Sequence, residues 1–140
     1  MKRALACLGF ASLLLATVPA SAAAAAPVSI SIHSASLLAH GAGVQVSFAV
    51  TCEPPSAGVD NGSVSVNQRV SRGLVATASG EDWTWGTWAT PLTCNGTTAN
   101  EFTQTLKPDS VAFKPGVALV EVYVFMNGTP NRLTVEMKIK

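Results

Sequence analysis

Apolar and polar residues alternate along most of the chain, and helical periodicity is almost absent. Regular alternation runs through four stretches, which are 28–33, 44–52, 63–70 and 133–140. Such alternation predicts β-strands with one buried and one solvated face, as in antiparallel sheets. Shorter candidate strands lie at 74–78, 83–88, 92–94 and 101–106. The chain is therefore predicted to form an all-β domain.

The stretch 117–126 differs from the others because both of its faces are apolar. Glu121 is the one interruption on the face that carries Leu119, Tyr123 and Phe125. A strand of this kind is typical of a central position, or of an outer face that meets another element or a partner. We therefore expect this face to be a ligand or partner surface, with residues 80–90 as the natural cover from within the chain.

Turn-forming residues separate the predicted strands. Asn-Gly pairs at 61–62, 95–96 and 127–128 tolerate the positive φ angles of tight turns. Each pair is followed by Ser or Thr and so also fits an N-glycosylation acceptor, although the turns explain all three without a sugar. About seven to nine short strands with turns at this spacing predict an Ig-like antiparallel β-sandwich, with a small β-barrel as the alternative.

The N-terminal segment has the parts of a secretory signal peptide. A short basic start precedes an apolar run over 4–18, and Ala20-Ser21-Ala22 offers small residues to a signal peptidase. The apolar run is shorter than the roughly 20 residues that a membrane span needs, although an uncleaved anchor is the alternative. We expect residues 1–22 to be the signal peptide, with cleavage between 22 and 26. Residues 27–140 then form one secreted, extracellular domain.

The cysteines fit an exported domain with one disulfide. Cys7 lies inside the apolar run and would leave with the signal peptide, so the domain keeps Cys52 and Cys94. Cys52 is in phase with the inward side of its strand, and Cys94 is in phase with Leu92. Two inward cysteines on separate strands predict a buried bridge between the two sheets, with free thiols as the alternative. Such a bridge contributes about 4 kcal/mol in the chain-entropy account.

Charge is balanced and dispersed along the sequence. After the signal peptide the chain has seven Lys and Arg residues against eight Asp and Glu residues, and neither sign forms a run. This pattern is not typical of proteins that bind nucleic acid or an anionic membrane. We therefore expect no nucleic-acid partner, and no membrane association once the signal peptide is removed. The sequence leaves the oligomeric state open.

The sequence carries no recognisable catalytic, metal-binding or cofactor-binding pattern. The histidines, His33 and His40, have no carboxylates at metal-ligand spacing. The many serines lack the glycine pattern of a nucleophile elbow, and Glu81 and Asp82 would point to opposite faces of a strand. Gln68 falls on the inward side of its strand, where we expect it to satisfy backbone groups at a bulge or near the sheet end. The domain is predicted not to be an enzyme and to need no cofactor.

Three tryptophans, Trp83, Trp85 and Trp88, lie within six residues and form what we call the tryptophan cluster. Trp83 and Trp85 share a face if the segment is extended, at a separation of about 6.7 Å. The rings either cap one end of the core or offer an aromatic platform to a sugar or a protein. The candidate ligand surface therefore joins this cluster to the outer face of the stretch 117–126.

Several motifs occur in a characteristic order and spacing. They are Gly43 to Cys52, Gln68 after an alternating strand, Cys94 to Thr97, and Phe113 to Ala118. Together they resemble a family of small exported actinobacterial proteins with a domain of unknown function, over roughly residues 28–139. The resemblance implies an Ig-like sandwich with one disulfide between the two cysteine strands, and it implies no catalytic residues. Pro54-Pro55 and the tryptophan cluster depart from the family pattern.

These observations together predict a secreted, non-enzymatic domain that binds an unidentified protein or glycan. The alternative function is a carbohydrate-binding module built on the tryptophan cluster. Exposed, coplanar rings would favour the sugar, because sugars stack on aromatic faces, and buried rings would favour a structural role.

Export is expected to remove roughly the first 22 to 26 residues. Intact-mass analysis of the protein from culture medium should give a first residue between Ala23 and Pro27. Membrane-bound protein that retains Met1 would establish the uncleaved anchor instead.

Overall fold

The domain consists of two antiparallel β-sheets packed face to face. The computed structural model describes residues 27–54, 61–81, 92–126 and 128–140. This part of the chain forms seven strands: β1 (Val28–Leu38), β2 (Gly43–Cys52), β3 (Asn61–Ser71), β4 (Leu74–Glu81), β5 (Asn100–Leu106), β6 (Gly116–Met126) and β7 (Thr129–Ile139). One sheet has the strand order β1-β2-β5 and the other the order β4-β3-β6-β7. Because the two sheets are separate, the fold is the predicted sandwich and the barrel alternative is wrong.

The core is formed by the inward-facing positions of both sheets, as the alternation predicts. Every second residue of β2 and of β6 is buried, whereas their neighbours point outward. Phe48 of β2 stacks on Phe102 of β5 with a ring-centroid distance of 5.4 Å. Strand β6 lies between β3 and β7, so the predicted central position of the doubly apolar stretch is confirmed.

The short segment 92–94 was predicted to be a strand, and the structure shows irregular backbone there. The side-chain amide of Asn100 forms the backbone hydrogen bonds that a neighbouring strand would otherwise form. The Thr93 N–H donates to Asn100 Oδ1 at 2.8 Å, and Asn100 Nδ2 donates to the Thr93 carbonyl at 3.2 Å and to the Val50 carbonyl at 2.9 Å. One side-chain amide thus satisfies backbone groups that a sheet would otherwise pair. The predicted strand 83–88 lies outside the described residues.

The disulfide joins the two predicted cysteines, but it does not connect the two sheets. Cys52 and Cys94 are bonded with a Cα–Cα distance of 4.6 Å. Cys52 ends β2, and Cys94 belongs to the irregular segment that leads into β5, the strand next to β2. Cys52 is buried and Cys94 is partly buried. The bridge therefore fastens the entry of β5 to the end of its own sheet, and the expectation of a link between two cysteine strands is wrong.

One end of the sandwich is tied together by a very close backbone contact. Gly41, in the turn between β1 and β2, has a φ of +94°, and an added Cβ would overlap the carbonyl oxygen of Phe113. The Phe113 N–H donates to the Gly41 carbonyl at 3.1 Å. The Phe113 ring is only 2% exposed and closes the core at this end. Only glycine permits both the conformation and the approach.

Two further contacts close the lateral edges of the sandwich near the same end. The Leu37 N–H on β1 donates to the Lys140 carbonyl just after β7, at 3.0 Å. On the opposite edge, Thr77 of β4 and Asp109 exchange two hydrogen bonds. The Asp109 N–H donates to the Thr77 carbonyl at 2.8 Å, and the Thr77 hydroxyl donates to Asp109 Oδ2 at 2.9 Å. These bonds fix the loop 107–115 and the C-terminal strand to the opposite sheet.

Replacing Gly41 by alanine should lower the free energy of unfolding by about 2–5 kcal/mol, because a left-handed alanine costs about 1–2 kcal/mol and overpacking adds about 1–3 kcal/mol. Gly73→Ala is the matched control, since Gly73 also has a positive φ (+81°) but an added Cβ meets nothing within 4 Å. Urea denaturation of both variants measures the difference. Equal losses in the two variants would show that the Gly41–Phe113 approach contributes nothing.

Candidate interaction surface

The outer face of β6, where we predict a partner surface, consists of two parts in the structure. Leu119, Tyr123 and Phe125 all lie on the outer face of the four-stranded sheet. Leu119 is exposed, whereas Tyr123 and Phe125 are half-buried. The tryptophan cluster lies outside the described residues, as does most of the predicted cover 80–90.

Tyr123 is partly covered by a charged side chain from β7. The Arg132 guanidinium lies over the Tyr123 ring, 5.7 Å from its centroid. Arg132 Nε also lies 3.7 Å from a carboxylate oxygen of Glu121, whose other oxygen accepts a hydrogen bond from the Thr134 hydroxyl at 3.2 Å. The stacked guanidinium of Arg132 shields one face of the Tyr123 ring from solvent. Its positive charge is at the same time paired with the Glu121 carboxylate. This part of the surface is therefore already engaged within the domain.

Leu119 belongs instead to a group of exposed aliphatic side chains. Asn67 of β3 is paired with Leu119 on one side and Thr77 on the other. Two residues further along, on the same outer face, lie Val117 of β6 and Val75 of β4. Leu74 is the first residue of β4 and is in phase with the buried Ala76 and Ala78, so it points to the opposite side of the sheet from Val75. The exposed fractions are 51% for Leu74, 47% for Val75, 49% for Val117 and 48% for Leu119.

The same end of the sandwich gathers most of the positive charge of the domain. From residue 27 onward six of the seven Lys and Arg residues lie there, at the ends of strands β3, β5 and β7, in the turn 72–73 and in the loop 107–115. They are Arg69, Arg72, Lys107, Lys114, Lys138 and Lys140, and all are exposed. Among the residues that the structure describes, the carboxylate side chains at this end are those of Asp109 and Glu136. We call this the basic end of the sandwich.

The premise that neither sign of charge clusters is therefore wrong for the folded domain. Arg69 is paired with Val75, and Lys138 is paired with Val117, so cations stand directly beside the exposed aliphatic groups. The sequence gives no run of charge because these residues come from three separate stretches of the chain, 69–72, 107–114 and 138–140. Only the pairing of the strands places them together.

Gln68 anchors the loop 107–115 at the basic end. Its side chain is 3% exposed. Nε2 donates to the Lys114 carbonyl at 2.7 Å, and Oε1 accepts from the Lys114 N–H at 2.9 Å. The register of β3 against β4 shifts immediately afterwards, between Arg69 and Ser71. The prediction that Gln68 satisfies backbone groups at a bulge or near the sheet end is confirmed.

The outer face of the three-stranded sheet has a different character. His33, at a register irregularity in β1, reaches across β2 so that Nε2 lies 3.3 Å from Glu101 Oε2 on β5. Ala49 lies on this outer face, in register with Glu101, and is nevertheless only 2% exposed. The side chains of His33 and Glu101 are 46% and 62% exposed. Water competes for such a pair, so its contribution to the free energy of folding is small.

An open depression lies beside the disulfide, at the end opposite the basic end. Its volume is about 210 Å³, and it is lined by Pro27, Val28, Ser29, Thr51, Cys52, Glu53 and Gly96. Next to it, Asn95 Oδ1 accepts from the N–H groups of Thr97 and Thr98, at 3.0 and 2.7 Å. The Asn95 amide is thus used to close a turn, as the turn interpretation of this Asn-Gly pair predicts.

The described residues contain neither a membrane-spanning helix nor a cluster of metal ligands. No helix in them is long and apolar enough to cross a membrane. No group of three or more His, Cys, Asp or Glu side chains in the same ranges is placed to hold a metal ion.

Replacing Gln68 by glutamate should destabilise the fold strongly at neutral pH. A carboxylate still accepts from the Lys114 N–H but has no proton for the Lys114 carbonyl, and burial raises the pKa of the introduced carboxyl. The expected loss in the free energy of unfolding is about 2 kcal/mol or more. Because the protonated form restores the donor, the loss should shrink as the pH falls through that raised pKa.

Gln45→Glu, on the outer face of β2, is the matched control and should cost little at any pH. Urea denaturation across a pH series makes the comparison. If the Gln68→Glu loss does not shrink in acid, the amide pairing is not what holds the loop.

No protein-family model matches the sequence, and no curated protein matches it.

Proposed function

We propose that the protein is an exported, non-enzymatic interaction domain that binds its partner with the basic end of the sandwich. The observation that carries this proposal is three exposed aliphatic side chains on the outer face of the four-stranded sheet near that end, Val75, Val117 and Leu119. Single exposed apolar residues are ordinary on protein surfaces. These three lie on β4 and β6, on either side of β3, and Arg69 and Lys138 stand beside them in register. Exposed apolar residues bordered by charged residues are typical of an interaction site.

Export is supported by the signal-like N-terminus and by the disulfide. Disulfides form and persist in oxidising compartments and are rare in the cytoplasm. The bond between Cys52 and Cys94 therefore agrees with the secretory interpretation of residues 1–22.

A binding role rather than catalysis is supported by the setting of His33. Its contact with Glu101 lies on an open sheet face, and both side chains are about half exposed. Catalytic acid–base pairs usually work in clefts, where burial and neighbouring charges adjust their pKa values.

The strand order supports an Ig-like assignment of the sandwich. In an immunoglobulin constant domain the first, second and fifth strands are neighbours in one sheet, and the third, sixth and seventh are neighbours in the other. The orders β1-β2-β5 and β3-β6-β7 reproduce both sets. Two features differ: β4 pairs with β3 rather than β5, and the disulfide does not join the second and sixth strands. Membership of the small exported actinobacterial family stays a prediction.

The carbohydrate-binding alternative rests on Trp83, Trp85 and Trp88. These residues lie outside the described ranges, so this function also stays a prediction from the sequence.

The proposal predicts that Val117→Ser/Leu119→Ser weakens binding to the natural partner by at least about tenfold, because burying a Val or Leu side chain against a partner is worth about 1.5–3 kcal/mol. The measurement is retention of the secreted protein on envelope and culture-medium fractions of the exporting cells. Both side chains are about half exposed, so the thermal midpoint of unfolding should change little.

Thr103→Ala/Thr105→Ala is the matched control, because it alters exposed residues on the outer face of the other sheet and should leave retention unchanged. Equal retention of both double variants and the unaltered protein would refute the proposed use of the basic end. Catalytic turnover that His33→Ala abolishes would refute the non-enzymatic assignment.

A further inference from the structure

We infer that the basic end of the sandwich docks on the surface of an anionic lipid bilayer, with the aliphatic side chains entering the headgroup region. This inference rests on the proposed function, because it assigns a partner to the same surface. It also departs from the expectation that the secreted domain avoids membranes, which was based on dispersed charge along the sequence.

The first requirement of such docking is a local excess of positive charge. Within the part of the chain that the structure describes, the basic end has six Lys and Arg side chains and only two carboxylate side chains. One of the two carboxylates, that of Asp109, is already hydrogen-bonded to the Thr77 hydroxyl. Each cation near an anionic membrane surface strengthens binding about fivefold. The attraction falls off within a Debye length, about 10 Å at 0.1 M salt, so it acts only at close approach.

The second requirement is apolar surface in the same plane as the cations. Val75 is in register with Arg69, and Val117 is in register with Lys138. Leu119 lies two residues further along β6, on the same face and farther from the strand end. Arg72 lies in the turn 72–73, at the same end of the sheet. Binding at a membrane interface combines apolar side chains, which reach the boundary of the acyl chains, with cations, which stay among the headgroups.

The aliphatic character of the group favours a bilayer over other anionic partners. Nucleic-acid sites that bind unpaired bases combine cations with aromatic rings on which the bases stack, and this group has Val and Leu instead. Protein hot spots are enriched in Trp, Tyr and Arg, with Leu and Val under-represented. Lipid headgroups and the upper acyl region require neither shape complementarity nor aromatic rings.

The basic end is also rigid, which reduces the entropy lost on docking. The Gly41–Phe113 contact, the Gln68 amide and the Thr77–Asp109 bonds hold the loop 107–115 against both sheets. The Leu37–Lys140 bond fixes the last strand. The cations and the aliphatic groups therefore keep their relative positions before any contact with lipid.

The test is vesicle flotation of the secreted protein with phosphatidylcholine vesicles, with and without phosphatidylglycerol. We expect binding only to vesicles that contain phosphatidylglycerol, and we expect it to weaken as salt increases. Arg72→Gln should lower the partition coefficient about fivefold. Arg132→Gln removes the same charge away from the basic end and should leave partitioning nearly unchanged.

Val117→Ser/Leu119→Ser separates insertion from simple charge attraction. This variant should bind more weakly than the unaltered protein at every salt concentration, because apolar insertion does not depend on screening. No binding to phosphatidylglycerol vesicles would overturn the inference, as would equal loss for Arg72→Gln and Arg132→Gln. Binding to an acidic peptide, such as polyglutamate, without vesicle binding would assign the basic end to a protein partner.

Failure here is distinguishable from failure of the proposed function. If vesicles do not bind but retention on cell fractions still depends on Val117 and Leu119, the interaction domain stands and only the lipid assignment falls.

Discussion

The loop 107–115 must pass from one sheet to the other across the open end of the core, and the amide of Gln68 makes this crossing possible. A chain that leaves a sheet at the edge of an apolar core brings backbone polar groups into a region with little water, and unpaired groups there are costly. A glutamine amide has the donor and acceptor of a peptide group, so it pairs with both polar atoms of Lys114. This pairing fixes Lys114, and together with the Gly41–Phe113 contact it holds Phe113 where its ring closes the core.

The three-stranded sheet solves a similar problem with Asn100. Its side chain pairs with Thr93 and with Val50, so the irregular segment before β5 needs no neighbouring strand. The disulfide lies next to this arrangement and fastens the same segment covalently. At each end of the sandwich, therefore, one amide side chain pairs with backbone groups that have no strand beside them. At the disulfide end a covalent bond is added.

The strands and their inward residues could be predicted because burial in a sheet has a period of two. Cys52 and Gln68 fall on that period, and both are buried as expected. The segment 92–94 also alternates with a period of two, yet its backbone is irregular because the Asn100 side chain pairs with it. A side-chain hydrogen bond of this kind leaves no trace in the hydrophobic pattern, so it could not be predicted. The surface could be predicted only in part. Leu119 was identified from its own strand, but Val75, Arg69 and Lys138 join it through strand pairing, which the alternation of one strand does not encode.

The separation of charge along the strands gives the domain an electric dipole. Strands of 11 residues span about 35 Å, so the two ends are well separated compared with the Debye length in physiological salt. Glu53 and Glu101 lie toward the end opposite the six cations. A charged surface exerts a torque on such a molecule before any side chain touches it. The domain would therefore arrive with its basic end toward an anionic surface, and orientation would be selected during the encounter rather than after it.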